Sequence, residues 1–232
     1  MHEIHPIAHI ESDFADKFGV PRQAGVVDAL TARIVFAREY RSEDALRGIE
    51  GFSHLWLIWQ FSKALREGWS PTVRPPRLGG NVRMGVFATR SPYRPNALGL
   101  SCVRLVRVEH DGADAPALIV AGADLVSGTP IYDIKPYIPY ADAHPDARGG
   151  FAPDPGEMLT VDIPQGLLAR VPAEKRAALE GVLACDPRPR YQHDAARVYA
   201  MDFAGLCVRF TVEDGVLAVC DISPSANAGE KE

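Results

Sequence analysis

Nowhere does this chain string together the ~18–20 apolar residues that a bilayer span requires. Its first residues, MHEIHPIAHIES, hold no basic segment followed by an apolar one, so no secretory leader is expected. Cysteine is scarce and scattered: Cys102, Cys185, Cys207 and Cys220 form no CxxC pair. That argues against a disulfide scaffold and a thiolate zinc site, and it suits a reducing cytoplasm. The common phosphate cradles are missing as well. There is no GxxxxGK-Ser/Thr and no GxGxxG opening a helix, and Gly79-Gly80 has no second half to complete one. Without HExxH or a paired-histidine pattern, no metal is expected, and no GxSxG elbow marks a serine hydrolase. His2, His5 and His9 crowd the start of the chain, where a structural or solvated role is the natural reading.

What is present suits a soluble globular protein. Of 232 residues, 47% are apolar and 24% charged, enough chain for a sizeable core in one large domain or a domain with an appendage. The net charge of −5 is unevenly spread. Residues 60–110 hold nine Lys/Arg against Glu67 and Glu109, a local +7 on a chain that is otherwise −12. Such a zone is either a footprint for a polyanion or a solvated arginine-rich surface.

Strand signals dominate the first 140 residues. Val26–Ala37 reads as a strand pair or a bent strand. His54–Phe61, Val82–Thr89, Leu100–His110 and Ala117–Val126 read as single strands. Ser42–Gly48 suits a short helix with acids in its first turn. Gly68–Gly80, with three prolines and three glycines, is a loop. Ala141–Gly156 is an exposed connector. Pro172–Cys185 is the best helix, and Leu206–Val212 and Val216–Ile222 flank a glycine-containing hairpin turn. Helices do not alternate with strands, which excludes a doubly wound sheet. The expectation is a mainly-β barrel or sandwich over residues 1–145, with a smaller α+β domain over residues 156–225.

Three constellations could carry chemistry. Thr89–Asn96 (TRSPYRPN) sets Arg90 and Arg94 in a segment stiffened by Pro92 and Pro95; it cannot be ordinary helix. Guanidiniums held this way suit phosphate or carboxylate recognition, or else a structural turn with arginine ion pairs. In an extended segment, Asp133, Lys135 and Tyr137 project to one face. They could relay a proton or bind a nucleobase, or form an ion pair beside a packed ring. Ser53 and His54 are neighbours and would point oppositely in a strand, so a buried, hydrogen-bonded His54 is favoured over a catalytic pair.

Taken in order along the chain, several motifs resemble one family. They are KFGVPRQ (Lys17–Gln23), GFSHLW (Gly51–Trp56), GWSPTVRPPRLGG, MGVFATRSPYRPNALGLS (Met84–Ser101), DLVSGTP (Asp124–Pro130), DIKPY (Asp133–Tyr137) and DPRPRY (Asp186–Tyr191). The family is TrmO, the S-adenosylmethionine (SAM)-dependent N6-methyltransferases of threonylcarbamoyladenosine at position 37 of tRNA. The resemblance implies a SAM-binding β-barrel unlike the Rossmann methyltransferases, working as a cytoplasmic homodimer. Residue by residue, it implies cofactor contacts from Pro21, Arg22, Gln23, Arg90, Leu100, Asp124, Leu125 and Val126. Ser62 and Lys63 stand at two further cofactor positions, where relatives carry His-Gln. Asp133, Lys135 and Tyr137 are the substrate-side candidates. Arg66, Arg74, Arg77 and Arg94 are expected to meet the phosphates of an anticodon stem-loop. The rival readings are a SAM enzyme with another substrate and a SAM-responsive regulator.

Overall fold

A computed structural model describes residues 3–65, 68–188 and 194–226. Among the described residues, twelve strands run in chain order: β1 Ala8–Glu11, β2 Thr31–Phe36, β3 His54–Gln60, β4 Thr72–Val73, β5 Met84–Gly85, β6 Leu98–Glu109, β7 Ala117–Ala121, β8 Pro130–Pro136, β9 Thr160–Asp162, β10 Tyr199–Phe203, β11 Leu206–Glu213 and β12 Val216–Pro224. Six of them close an antiparallel barrel in the order β1-β2-β7-β6-β3-β8. β4 and β5 form a separate two-stranded ribbon, and β10-β11-β12-β9 form a second sheet.

The period-2 rule explains the barrel wall. In β3, Leu55, Leu57 and Trp59 point inward and are buried, while His54, Trp56, Ile58 and Gln60 stand on the outer face. Ile10, Ile34, Val103, Leu118, Val120 and Ile131 meet them inside. Closure leaves no exposed strand edge in the barrel. The second sheet packs its apolar face (Met201, Phe203, Val208, Phe210, Leu217, Val219) on the helix Arg176–Ala184, through Ala178, Leu179, Val182 and Leu183. At the β11–β12 turn, Asp214 and Gly215 both adopt positive φ, as a two-residue hairpin turn requires.

Several expectations change. Val26–Ala37 is a strand only from Thr31. Before it, Val27 and Leu30 leave the barrel and enter the core of the second domain. Val82–Thr89 pairs over two residues only, because Val86 is buried in a tight turn that follows Gly85. Ala117–Val126 stops at Ala121, where Gly122 turns the chain at φ +76°. Ser53 lies just before β3 and escapes strand alternation, so its hydroxyl reaches His54 Nδ1 at 2.9 Å, and His54 is only partly buried. Among the described residues, no helix is long and apolar enough to cross a membrane, and no group of His, Cys, Asp and Glu is arranged to hold a metal ion.

Candidate active site

At one end of the barrel, three stretches of irregular backbone enclose a cavity of about 950 Å³. That is the upper end of the roughly 300–1,000 Å³ typical of small-molecule sites. One wall is Lys17–Gln23, from the long loop between β1 and β2. The facing wall is Phe87–Asn96, and the third is Gln60–Ala64, where β3 ends. Asp124–Val126 and the start of β6 form the floor.

The first wall is held from outside the barrel. Phe14, at the start of its loop, packs edge-on against Phe203 of the second sheet, with ring centroids 5.7 Å apart. Val27 and Leu30, at the end of the loop, sit in the same core. Gly19 has φ +90° and lies so close to Met201 that a Cβ there would strike its thioether. Lys175 closes the clamp with an ion pair to Asp13 at 2.7 Å. Across the cavity, the arginine-proline wall ties itself. Thr89 Oγ1 donates to the Val86 carbonyl at 2.9 Å, and Ser91 N–H donates to Thr89 Oγ1 at 3.3 Å. The Arg94 guanidinium donates to the carbonyls of Thr89 and Ser91, at 3.0 and 3.5 Å. Arg90 then bridges the two walls by donating to Gln23 Oε1.

Beneath lies a buried polar chain. Trp59 Nε1–H donates to Ser101 Oγ at 2.9 Å, and Ser101 O–H donates to Asp124 Oδ1 at 2.6 Å. Gly99 is required here, because a Cβ would enter the Trp59 indole. Burial pushes the Asp124 carboxyl above its ordinary value; the Ser101 hydrogen bond and the charge of Arg90 pull partly against that. The site is thus apolar at its base, with one strained carboxyl, a bridging guanidinium and several amide and hydroxyl groups at its rim.

The structure brings Pro21, Arg22, Gln23, Ser62, Lys63, Arg90, Leu100, Asp124, Leu125 and Val126 around this one cavity. Asp133, Lys135 and Tyr137 do not line it. Asp133 and Lys135 ion-pair at 2.7 Å on the outer face of β8. Their strand pairs with β3 so that Asp133 lies opposite Ile58, and Ile58 lies opposite Leu100 on the other side. Ile58 and Leu100 both line the cavity, so the Asp133 pair stands one strand beyond its margin. Tyr137 leans on Trp56, 5.8 Å between centroids, while Trp56 Nε1–H and the Ile138 N–H donate to Asp142. Those bonds, led by the backbone one, hold the Asp142 carboxyl below its usual range.

Of the expected phosphate ligands, Arg77 is engaged by the Asp154 carbonyl and carboxylate at 2.6 and 2.7 Å, and Arg94 by its own loop. Arg74 is exposed, and Arg66 lies outside the described residues. Sequence reasoning missed Trp59 as part of the site, and it gave Gly99 and Ser101, inside the Met84–Ser101 motif, no role of their own. The available signal was a small residue and a hydroxyl at successive same-face positions of a strand otherwise rich in bulky residues.

The closed barrel and its loop-walled, arginine-bridged cavity define a β-barrel with a cavity of small-molecule size at its rim. Comparison with known proteins narrows this. Residues 9–143 match the family model for the tRNA-methyltransferase O N-terminal domain, and residues 158–225 match that for the TrmO C-terminal domain. The chain is 41% identical over 234 residues to an Escherichia coli protein named tRNA (adenine(37)-N6)-methyltransferase, covering 96% of this chain and 98% of that one. It is 47% identical over 169 residues to an Eikenella corrodens protein of the same name, covering 72% and 95%. The crystal structure of TrmO from Pseudomonas aeruginosa superposes with a TM-score of 0.78 at 33% identity, covering 96% and 98%. The chain belongs to the TrmO family of tRNA methyltransferases.

Proposed function

We propose that this protein transfers a methyl group from SAM to N6 of threonylcarbamoyladenosine at position 37 of tRNA, acting as a cytoplasmic homodimer. The observation that carries the reading is the convergence of ten residues from five separate chain segments on one cavity of cofactor size. The donor set suits SAM. Arg90 would pair with the methionine carboxylate, Leu100 and Leu125 would flank the adenine, and the Asp124 carboxylate would accept ribose hydroxyls. Ser62 and Lys63 occupy the third wall, where backbone groups serve whatever the side chain. When bound, SAM supplies an electrophilic methyl on a sulfonium.

The acceptor nitrogen is part of a urea-like linkage, and its delocalised lone pair makes it a poor nucleophile. The protein therefore aligns it with the S–CH3 bond and accepts its proton. Asp133 would take that proton, or orient the group that carries it, as the N–C bond forms and the S–CH3 bond breaks with the donor leaving as a neutral thioether; general-base help of this kind is worth roughly 10²–10⁴-fold. Its backbone lies two strand spacings, about 10 Å, from that of Leu100. A substrate reaching over Ile58 from the cavity would meet the Asp133–Lys135 pair. Lys135 holds the threonyl carboxylate or the carbamoyl oxygen, and Tyr137 offers a ring to the base.

The test is mass spectrometry of tRNA nucleosides after incubation with protein and SAM. The expected result is one added methyl on threonylcarbamoyladenosine and none on tRNA lacking that group. Robust methylation of the unmodified tRNA would move the substrate, and tight SAM binding without turnover would make the chain a regulator. Near wild-type single-turnover rates in Asp133→Asn and Lys135→Ala would remove both residues from the chemistry.

A further inference from the structure

Beside the cavity, two large aromatic side chains stand in solvent. Trp69 is 51% exposed and Phe87 72% exposed, and their rings stack on each other, 6.2 Å between centroids and 26° apart in plane. Scattered exposed apolar residues are normal, but these two are held in place. Val86 is fully buried, and its N–H donates to the Pro71 carbonyl at 2.9 Å, so the residues flanking it and Pro71 are fixed outward. The ribbon β4–β5 repeats the clamp, pairing Thr72 with Gly85 and Val73 with Met84. Phe87 also lines the cavity, so the aromatic pair and the cofactor wall are continuous.

The charge beside the pair has one sign. Arg74 and Arg83 continue the ribbon by one residue on each strand, next to the Val73–Met84 rung. Both are exposed, and among the described residues neither has an acidic partner. Like charges set side by side across a ribbon repel each other. A polyanion relieves that repulsion.

Resting on the function proposed above, we propose that Trp69 and Phe87 form a stacking platform for an unpaired base next to the target adenosine, while Arg74 and Arg83 hold the adjoining phosphates. Sequence-tolerant recognition of single-stranded loops uses this combination of aromatic faces and backbone cations. A methyltransferase acting on a loop nucleotide must splay it from its neighbours, and a platform at the cavity rim gives the displaced neighbour a replacement stack. Trp69 stands outside the cavity, so its ring sets affinity for the nucleic acid and leaves SAM binding alone, whereas Phe87, which lines the cavity, bears on both.

The experiment compares wild type, Trp69→Ala, Trp69→Phe and Phe87→Ala as full chains. The probes are SAM alone and a synthetic threonylcarbamoylated anticodon stem-loop, intact or with an abasic site on either side of the target. Trp69→Ala is expected to bind the intact stem-loop about 10- to 100-fold more weakly, the range for losing one base–aromatic stack. In Trp69→Ala, SAM affinity is expected to change less than about twofold, and Trp69→Phe is expected to retain most of the RNA affinity. One abasic position is expected to cost wild type the same factor and to cost Trp69→Ala nothing further. Wild-type RNA affinity in Trp69→Ala and Phe87→Ala, with methylation intact, overturns the platform alone. So does equal sensitivity of Trp69→Ala and wild type to both abasic sites. Conversion of a dimer to a monomer by Trp69→Ala also overturns it, by making this face a contact between copies. Failure of wild type to methylate any stem-loop overturns the function on which the platform rests.

Discussion

The two facing walls of the cavity do one job by opposite means. Phe87–Asn96 is rigid because of what it contains: prolines at 92 and 95, hydroxyls at 89 and 91, and an arginine that bonds its own carbonyls. Lys17–Gln23 is tied mostly to other segments: Arg22 donates to the Arg188 carbonyl and Gln23 accepts from Arg90. Its order is imported from the second domain through Phe14, Gly19 and Val27, which pack on Phe203, Met201 and Gly181. A binding wall can thus be stiffened by local chemistry or by docking onto a distant core. In the second case, stability and affinity become one quantity.

The strongest way to break this contrast is Phe203→Ala. It should cost about 3–5 kcal/mol of stability, as large-to-small core changes do, and should weaken SAM binding even under conditions where the chain stays folded. Urea denaturation and calorimetric SAM titration measure the two effects. Unchanged affinity in the folded variant would mean that the first wall stands unaided. Gly19→Ala is gentler. The left-handed backbone alone costs about 1–2 kcal/mol, and the added methyl must displace Met201, so KM for SAM should rise more than kcat falls.

On the other wall, Arg94→Ala should leave the global unfolding midpoint close to wild type while lowering kcat/KM for SAM by about tenfold, equivalent to the ~1.4 kcal/mol of a lost charged hydrogen bond. Arg94→Lys should restore only part of this, since one ammonium cannot match the planar fork. A large fall in global stability would show that this loop also leans on the rest of the fold.

The smallest effect concerns the floor that joins the walls. Burial raises the Asp124 carboxyl pKa, so the stabilising protonated form is present below the ordinary aspartate value and is lost as pH rises through the raised one. Asp124→Asn should therefore gain stability relative to wild type as pH rises above the ordinary aspartate value of about 3.9, while binding SAM more weakly. Chemical denaturation across that range, beside SAM titration, checks both signs. Parallel pH profiles for the two proteins would mean that Asp124 is not strained.

The same contrast explains how much was legible in the sequence. The arginine-proline wall was readable because its causes lie within eight consecutive residues. The barrel class followed from strand runs without intervening helices, and β3, β6 and the β11–β12 hairpin were visible in their patterns. The role of Val27 and Leu30 was hidden, because an apolar pair before a strand looks like more strand until another domain claims it. Arg77 looked like a phosphate ligand because Asp154, its partner, lies far along the chain. The Ser53–His54 contact was missed because alternation was applied one residue too early. Family resemblance marked ten residues that line the cavity; local pattern alone would not have gathered them from five segments.

Because Phe14, Val27 and Leu30 belong to the second core while the residues between them grip the cavity, the coupling runs both ways. Thermodynamic linkage requires that whatever binds Pro21–Gln23 and favours their docked position also favours the docked core, to the same degree. Filling the barrel's mouth should therefore slow amide exchange in β10 and in the helix Arg176–Ala184, neither of which borders the cavity. The small domain would then report, from a distance, whether the barrel is charged with its methyl donor.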